Sequence, residues 1–229
     1  MAKHMCHYLS HLGLHFNNWA RSKNSIETLS SKLSHATHVL ILIHDDCIDQ
    51  FIQNNINLSQ QKPILVHFSG NLISPYAYSA HPLQSFSEQL YEPEQYRKIP
   101  FIIESHNLEF DELLPAFNNP HYKINRADKN YYHAMCVMAN NFTTLLWQKF
   151  FSEMQCKFKI KIEDLQPFLD QTFINIKEDL QNALTGPIVR KDTKTLLNDL
   201  KALSSDNFYS IFKTFINTFT QEAIDEKHF

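Results

Sequence analysis

The first residues of the chain set Met1, Met5, Tyr8 or Leu9, and Leu12 at helical spacing, and Gly13 stands where a helix ends on a glycine. A short strand is expected over Leu14 to Ala20, closing at the polar turn Arg21-Ser22-Lys23, after which Ile26, Leu29 and Leu33 mark a second helix. His38 to Ile43 is nearly uninterrupted in apolar character, as a parallel strand buried on both faces must be. Ile64 to Phe68 runs into Ser69-Gly70 as another short strand, and Ile99 to Ile103 is a further apolar run. A helix near Leu108 to Phe117 and an edge strand at His121 to Ile124 complete this half. Strands alternating with helices predict a parallel α/β sheet.

From Ala127 the period changes. Tyr132, Met135, Ala139, Phe142, Leu146 and Phe150 recur at three and four residues, which predicts one long helix. Helical patterns follow at about 163–183, 193–203 and 206–225, with no strand signal among them, and Pro167 is expected in the first turn of its helix. The reading is therefore a Rossmann-type α/β domain over 1–124 and an all-α domain over 125–229.

Composition narrows the classes. Apolar residues make up 43% of the 229 and charged residues 20%, an ordinary globular balance. The net charge of −3 comes without a basic run, which argues against a nucleic-acid partner. The longest clean apolar run, Val39 to Ile43, is too short to cross a bilayer, and no secretory signal opens the chain. Cys6, Cys47, Cys136 and Cys156 form no CxxC pair, so a reducing, cytoplasmic setting is expected. Glycine is scarce: where average usage would give roughly 16, only Gly13, Gly70 and Gly186 occur. His4, His7, His11 and His15 raise a metal site, but no third ligand is evident and they read as surface positions of the first helix.

Parallel sheets bind ligands beyond the C-terminal ends of their strands. Three loops qualify: Arg21-Ser22-Lys23, His44-Asp45-Asp46 and Ser69-Gly70. An acidic residue after the second strand suits the ribose of NAD, whereas Arg21 suits the 2′-phosphate of NADP, unless it is a solvated turn.

The segments HVLILIHDD (38–46), VHFSGNL (66–72), HPLQSF (81–86), KNYYHAMCVMANNF (129–142) and ALTGPIVRKD (183–192) occur in that order. Together they resemble the Rossmann-like NADP-oxidoreductase family that joins an NADP-binding domain to the C-terminal domain of unknown function 2520. That family is itself distantly similar to deazaflavin-dependent NADP reductases, pyrroline-carboxylate reductases and β-hydroxyacid dehydrogenases. The resemblance runs from residue 1 to about 222 and implies NADP as cofactor, with no particular substrate. Family members open with a strand and a G-x-G-x-x-[GA] turn that holds the pyrophosphate. That first strand and glycine loop are missing from this chain, and Ala2 falls where the third small residue would be. A start placed too late is the expected reading, a truncated relic the other.

In the helical half, Lys129, His133 and Asn140 fall within roughly 40° of one another on an ideal helix. A carbonyl or imine reduction needs a proton donor beside the hydride, and Lys129 or His133 could be that donor with an Asn orienting the substrate. Helical geometry selects Asn140, while the family's motif selects Asn141. The same face could instead serve a dimer or domain interface. Arg190, beside Thr185-Gly186-Pro187, could pair with a substrate carboxylate or phosphate, or with the other domain, and Asp192 is placed to cap the next helix. His81 reads either as a cleft-lining imidazole or as part of a loop-fixing turn. The expected function is NADP(H)-dependent reduction of a small C=O or C=N substrate in an interdomain cleft, in a homodimer formed through the C-terminal helices. A nucleotide-binding sensor or pseudoenzyme without hydride transfer, and a helical interaction protein on a degenerate Rossmann scaffold, are the alternatives.

Overall fold

The computed structural model describes residues 1–56, 62–106 and 108–220, which divide into two compact units, Met1–Trp147 and Gln148–Phe229. The last strand ends at Ile124, where the sequence reading put its boundary, and the compact units part later, after Trp147.

The first unit is a Rossmann-like α/β layer structure. Helices α1 (Ala2–His11) and α2 (Ile26–Leu33) precede β1 (His38–Ile41), and α3 (Asp45–Phe51) runs on into a π-helical turn at Ile52–Ile56. Then come β2 (Ile64–His67), β3 (Tyr78–Pro82), α4 (Pro93–Arg97), β4 (Phe101–Glu104), α5 (Phe110–Leu113) and β5 (His121–Ile124). The sheet order is β1-β2-β3-β4-β5, parallel at every pairing except β3 with β4, which is antiparallel.

Alternation along β2 sends its side chains to two cores. Val66 joins Met5, Tyr8 and Leu9 of α1 with Ala80, Phe101, Ile103 and Leu113. Leu65 joins Leu29, Leu33, Ile41, Ile48 and Ile52 from α2, β1 and α3. One helical layer therefore covers each face. Gly13 leaves α1 at φ 69°, the left-handed conformation its position called for.

Two expectations fail in this unit. Leu14 to Ala20 is not a strand. A cavity of about 1250 Å³ is lined both by this segment and by β1, so the two form no ladder. β1 in turn stands at the sheet edge with three of its four residues only half-buried, although its composition is that of an interior strand. The sequence reading also missed β3, whose buried positions are the small residues Ser79 and Ala80 plus Pro82.

The long helix is continuous from Arg126 to Cys156 but changes pitch: a 3₁₀ turn at Arg126–Asp128, α6 (Lys129–Cys136), a π-helical segment at Val137–Phe142, and α7 (Thr143–Cys156). In the second unit follow α8 (Ile162–Glu178), α9 (Thr193–Ala202) and α10 (Tyr209–Phe219). Residues 221–225, expected to extend the last helix, lie outside the described residues. Pro167 falls in the second turn of α8, not the first, where its missing N–H leaves the Glu163 carbonyl without its helical partner. Asp192 caps α9 through its side chain, 3.1 Å from Thr195 N. Lys149 bridges Glu153 at 2.9 Å and Asp206 at 2.7 Å, while Leu165, Leu196, Leu200 and Ile216 are buried.

Candidate functional site at the strand ends

The β2–β3 register sets His67 beside Ser79, and the antiparallel β3–β4 pair sets Ala80 beside Ile103 and His81 beside Ile102. Ser79 thus lies level with Glu104 at the end of β4, and Lys129, the first residue of α6, points between them. Its ammonium donates to Ser79 Oγ at 2.7 Å, to Glu104 Oε1 at 2.9 Å and to the Leu72 carbonyl. All three protons of the group are engaged, and the side chain is only 2% exposed. Burial pulls the Lys129 pKa below the ordinary lysine value, opposed by Glu104. Arg126 adds a second cation, 3.8 Å from Glu104 and donating to the Ser74 carbonyl at 2.9 Å. This arrangement holds the start of α6 against the loop after β2.

That loop is itself tied down. Ser69 donates to Asp45 and accepts from the amides of Asn71 and Leu72 at 3.2 and 2.9 Å. Ser74 donates to Asp49 at 2.6 Å. Gly70 is then pressed beneath two imidazoles: a Cβ on it would lie 2.6 Å from His133 Cδ2 and 3.0 Å from His81 Nε2. No other residue fits there without moving a histidine.

His81 Nδ1 lies 2.7 Å from the Tyr132 hydroxyl, and the His81 and His133 ring centroids are 6.3 Å apart. Burial, followed by the charges of His133 and Lys129, depresses the His81 pKa to about 4. His67 is depressed to about 3, again by burial first and then by Lys129 and His81. Its Nδ1 accepts from Ser69 N at 3.3 Å, which puts its proton on Nε2, and that buried atom has no partner among the described residues. Burial and the neighbouring Cys136 raise the Tyr132 phenol above its usual range.

Of the residues singled out in the sequence, Asp45, Ser69, Gly70, His81, Lys129 and His133 come together here. Ala2, Arg21, Ser22 and His44 instead line the large cavity along β1. Asp46 is exposed in the first turn of α3. Asn140 and Asn141 are exposed on the π-helical segment, and Arg190 is exposed in the second unit. His4 is buried rather than superficial, held by the Tyr96 hydroxyl at 2.8 Å and the Ser87 carbonyl at 2.7 Å, because a neutral imidazole can satisfy both nitrogens inside a core. Among the described residues no group of three or more metal-ligating side chains gathers. His67, Ser79 and Glu104 were not singled out in the sequence, and Tyr132 was read only as part of the helical repeat. A charge ending the apolar run Phe-Ile-Ile-Glu was the available signal for Glu104.

The sequence profile described as a domain of unknown function, number 2520, matches residues 99–217. No curated protein matches the chain. Among solved structures, a candidate NADP oxidoreductase from Bacteroides fragilis is similar in fold, with a TM-score of 0.74, 18% identity, and coverage of 96% of this chain and 94% of that one. A protein from Thermotoga maritima gives a TM-score of 0.59 at 21% identity over 80% of this chain and 75% of its own.

Proposed function

The chain belongs to the family of the domain of unknown function 2520, and on that premise we propose that it is an NADP(H)-dependent oxidoreductase reducing a small C=O or C=N substrate beside Gly70. The observation that carries this reading is the pair of imidazoles closed over a glycine at the C-terminal end of β2, the end at which such sheets hold ligands. The fold shared with the candidate NADP oxidoreductase from Bacteroides fragilis supports it.

The residues present fit a phosphorylated dinucleotide. Arg21 and Ser22 line a cavity ample for one, together with Ala2 at the start of a helix that has no acidic residue in its first turn and no side-chain cap. Arg21 would pair with the 2′-phosphate, the α1 amides near Ala2 with the pyrophosphate, and His44, Asp45, Asp46, Ser69 and Gly70 would face the rest. When bound, the reduced nicotinamide supplies hydride. The chain supplies position and a proton. His133 is the proton donor, because the Lys129 protons are all committed to acceptors. Lys129 fixes the helix that carries His133, and an Asn at 140 or 141 orients the substrate.

The second unit suits a homodimer. Leu180, Val189, Phe215 and Phe219 are 76%, 55%, 44% and 61% exposed, more apolar surface than a lone helical unit usually leaves in water. Among the described residues no helix is long and apolar enough to cross a membrane, and all four cysteines are unbridged. A cytoplasmic location agrees with both.

Binding and turnover test the proposal together. NADPH should bind roughly 10- to 150-fold more tightly than NADH, the worth of one charge-assisted pair, and Arg21→Ala should erase that ratio. His133→Leu should lower reduction of aldehydes, ketones or imines by roughly 10²–10⁴ with NADPH affinity kept, and Gly70→Ala, which pushes on both imidazoles, should lower both turnover and NADPH affinity. Equal affinity for the two nucleotides would overturn the cofactor assignment. NADPH binding without turnover of any such compound would favour a nucleotide sensor.

A further inference from the structure

Tyr132 and His133 are consecutive on α6, so their side chains leave the helix about 100° apart. His133 packs on Gly70, while Tyr132 reaches the far nitrogen of His81, Nδ1, at 2.7 Å. The other nitrogen, Nε2, faces Gly70, and among the described residues the only hydrogen bond the His81 ring makes is the one at Nδ1. Which nitrogen carries the proton decides whether His81 offers a donor or an acceptor to anything beside Gly70.

We propose that Tyr132 is a positioning residue that donates its hydroxyl proton to His81 Nδ1, so that His81 presents a neutral Nε2–H donor to the oxygen of a carbonyl substrate over Gly70. This rests on the oxidoreductase reading and narrows its substrate to aldehydes and ketones. A phenol is a far stronger acid than a neutral imidazole N–H, so the bond is stronger with tyrosine donating. Cys136, one turn along α6, also lies within hydrogen-bonding reach of the phenol, but its sulfur is a weaker acceptor than an imidazole nitrogen, so the phenol proton goes to His81. His81 resists protonation through burial, then through the neighbouring charges of His133 and Lys129, with Asp45 acting the other way. It therefore polarises a carbonyl as a neutral imidazole does, without becoming a second cation.

The step balances. The carbonyl carbon takes hydride from the reduced nicotinamide, which is thereby oxidised, and the C=O π pair moves onto oxygen. That oxygen, held by His81 Nε2–H, takes its proton from His133 and leaves it neutral. A protonated imine has no lone pair for Nε2–H, which is why the carbonyl is preferred.

Histidine tautomers can be read directly by long-range ¹H–¹⁵N correlation in the ¹⁵N-labelled protein at pH 7, with His81 assigned by its loss in His81→Gln. The expected pattern is a protonated Nε2 and a bare Nδ1, shifting toward protonated Nδ1 in Tyr132→Phe. The same substitution should lower kcat for carbonyls by roughly 10- to 100-fold with KM and NADPH affinity unchanged. A protonated Nδ1 in the unmutated protein, or no shift in Tyr132→Phe, overturns the inference whatever the activity. Faster turnover of imines than of carbonyls overturns the substrate class. The expected tautomer with no turnover of either compound upholds the tyrosine lock and sinks the oxidoreductase reading instead.

Discussion

The first unit holds a packed polar cluster and an open cavity, built on opposite plans. At the strand ends near Gly70 Lys129, Ser69, Ser79 and Tyr132 are held by hydrogen bonds, and the side chains press on one another. Along β1 the cavity is wide and its wall mixes aliphatic side chains with polar ones, Arg21, Ser22 and His44 among them. The first arrangement fixes directions before anything binds, as a reaction centre requires. The second leaves shape and volume to be completed by its occupant. Sequence perturbation should therefore be felt very unevenly across the two.

The largest effect is expected at Lys129. Replacing it by Met leaves the Glu104 carboxylate, whose side chain is 7% exposed, with only the partly exposed Arg126 at 3.8 Å, and should destabilise the protein by up to about 3–5 kcal/mol, read as a fall in the urea midpoint. Adding Glu104→Leu should recover most of that loss. If the single variant is as stable as the parent, the cluster is not the rigid element described above.

Acid should sharpen the contrast next. His67 and His81 are held neutral in the fold, near 3 and 4, while the unfolded chain takes up protons below about 6.5. Their stabilisation is thus intact above pH 6.5 and is lost as the pH falls from there toward 4 and 3. Between pH 7 and pH 5 each histidine should remove about 1–2 kcal/mol, and His67→Phe should flatten its share of the slope. A urea midpoint unchanged over that interval would place both imidazoles in water.

The smallest effect is expected on the cavity wall. Val39, half-buried on β1, should lose under about 1 kcal/mol on replacement by Ala, because solvent already reaches it. A loss of several kcal/mol would mean that this wall is packed as tightly as the Gly70 cluster.

Periodicity alone separated the α/β half from the helical half, because buried strands and amphipathic helices differ in period over many residues. It failed where pairing decides. Leu14 to Ala20 has strand composition but no neighbour to bond, and Tyr78 to Pro82 has a neighbour on each side but little strand composition. Gly70, His81, Lys129 and His133 were legible as chemistry-bearing residues, whereas depth was not. A helical wheel set Lys129 and His133 on one face without showing that the first is sealed against Glu104. It also assumed one pitch throughout. The π-helical segment at Val137–Phe142 holds an extra residue in its turn, so the position in phase with His133 moves from 140 toward 141. The family motif selected that same asparagine.

The three acceptors of Lys129 lie 57, 50 and 25 residues away along the chain, on a loop, on β3 and on β4. None can be in place until β2, β3 and β4 have paired in the middle of the sheet, and the entropy of closing those loops has to be met first. Interactions that form after the folding barrier slow escape from the native state and leave the rate of reaching it almost untouched. In the Lys129→Met protein the lost stability should therefore appear as faster unfolding, so that this one ammonium group sets how long the folded molecule lasts.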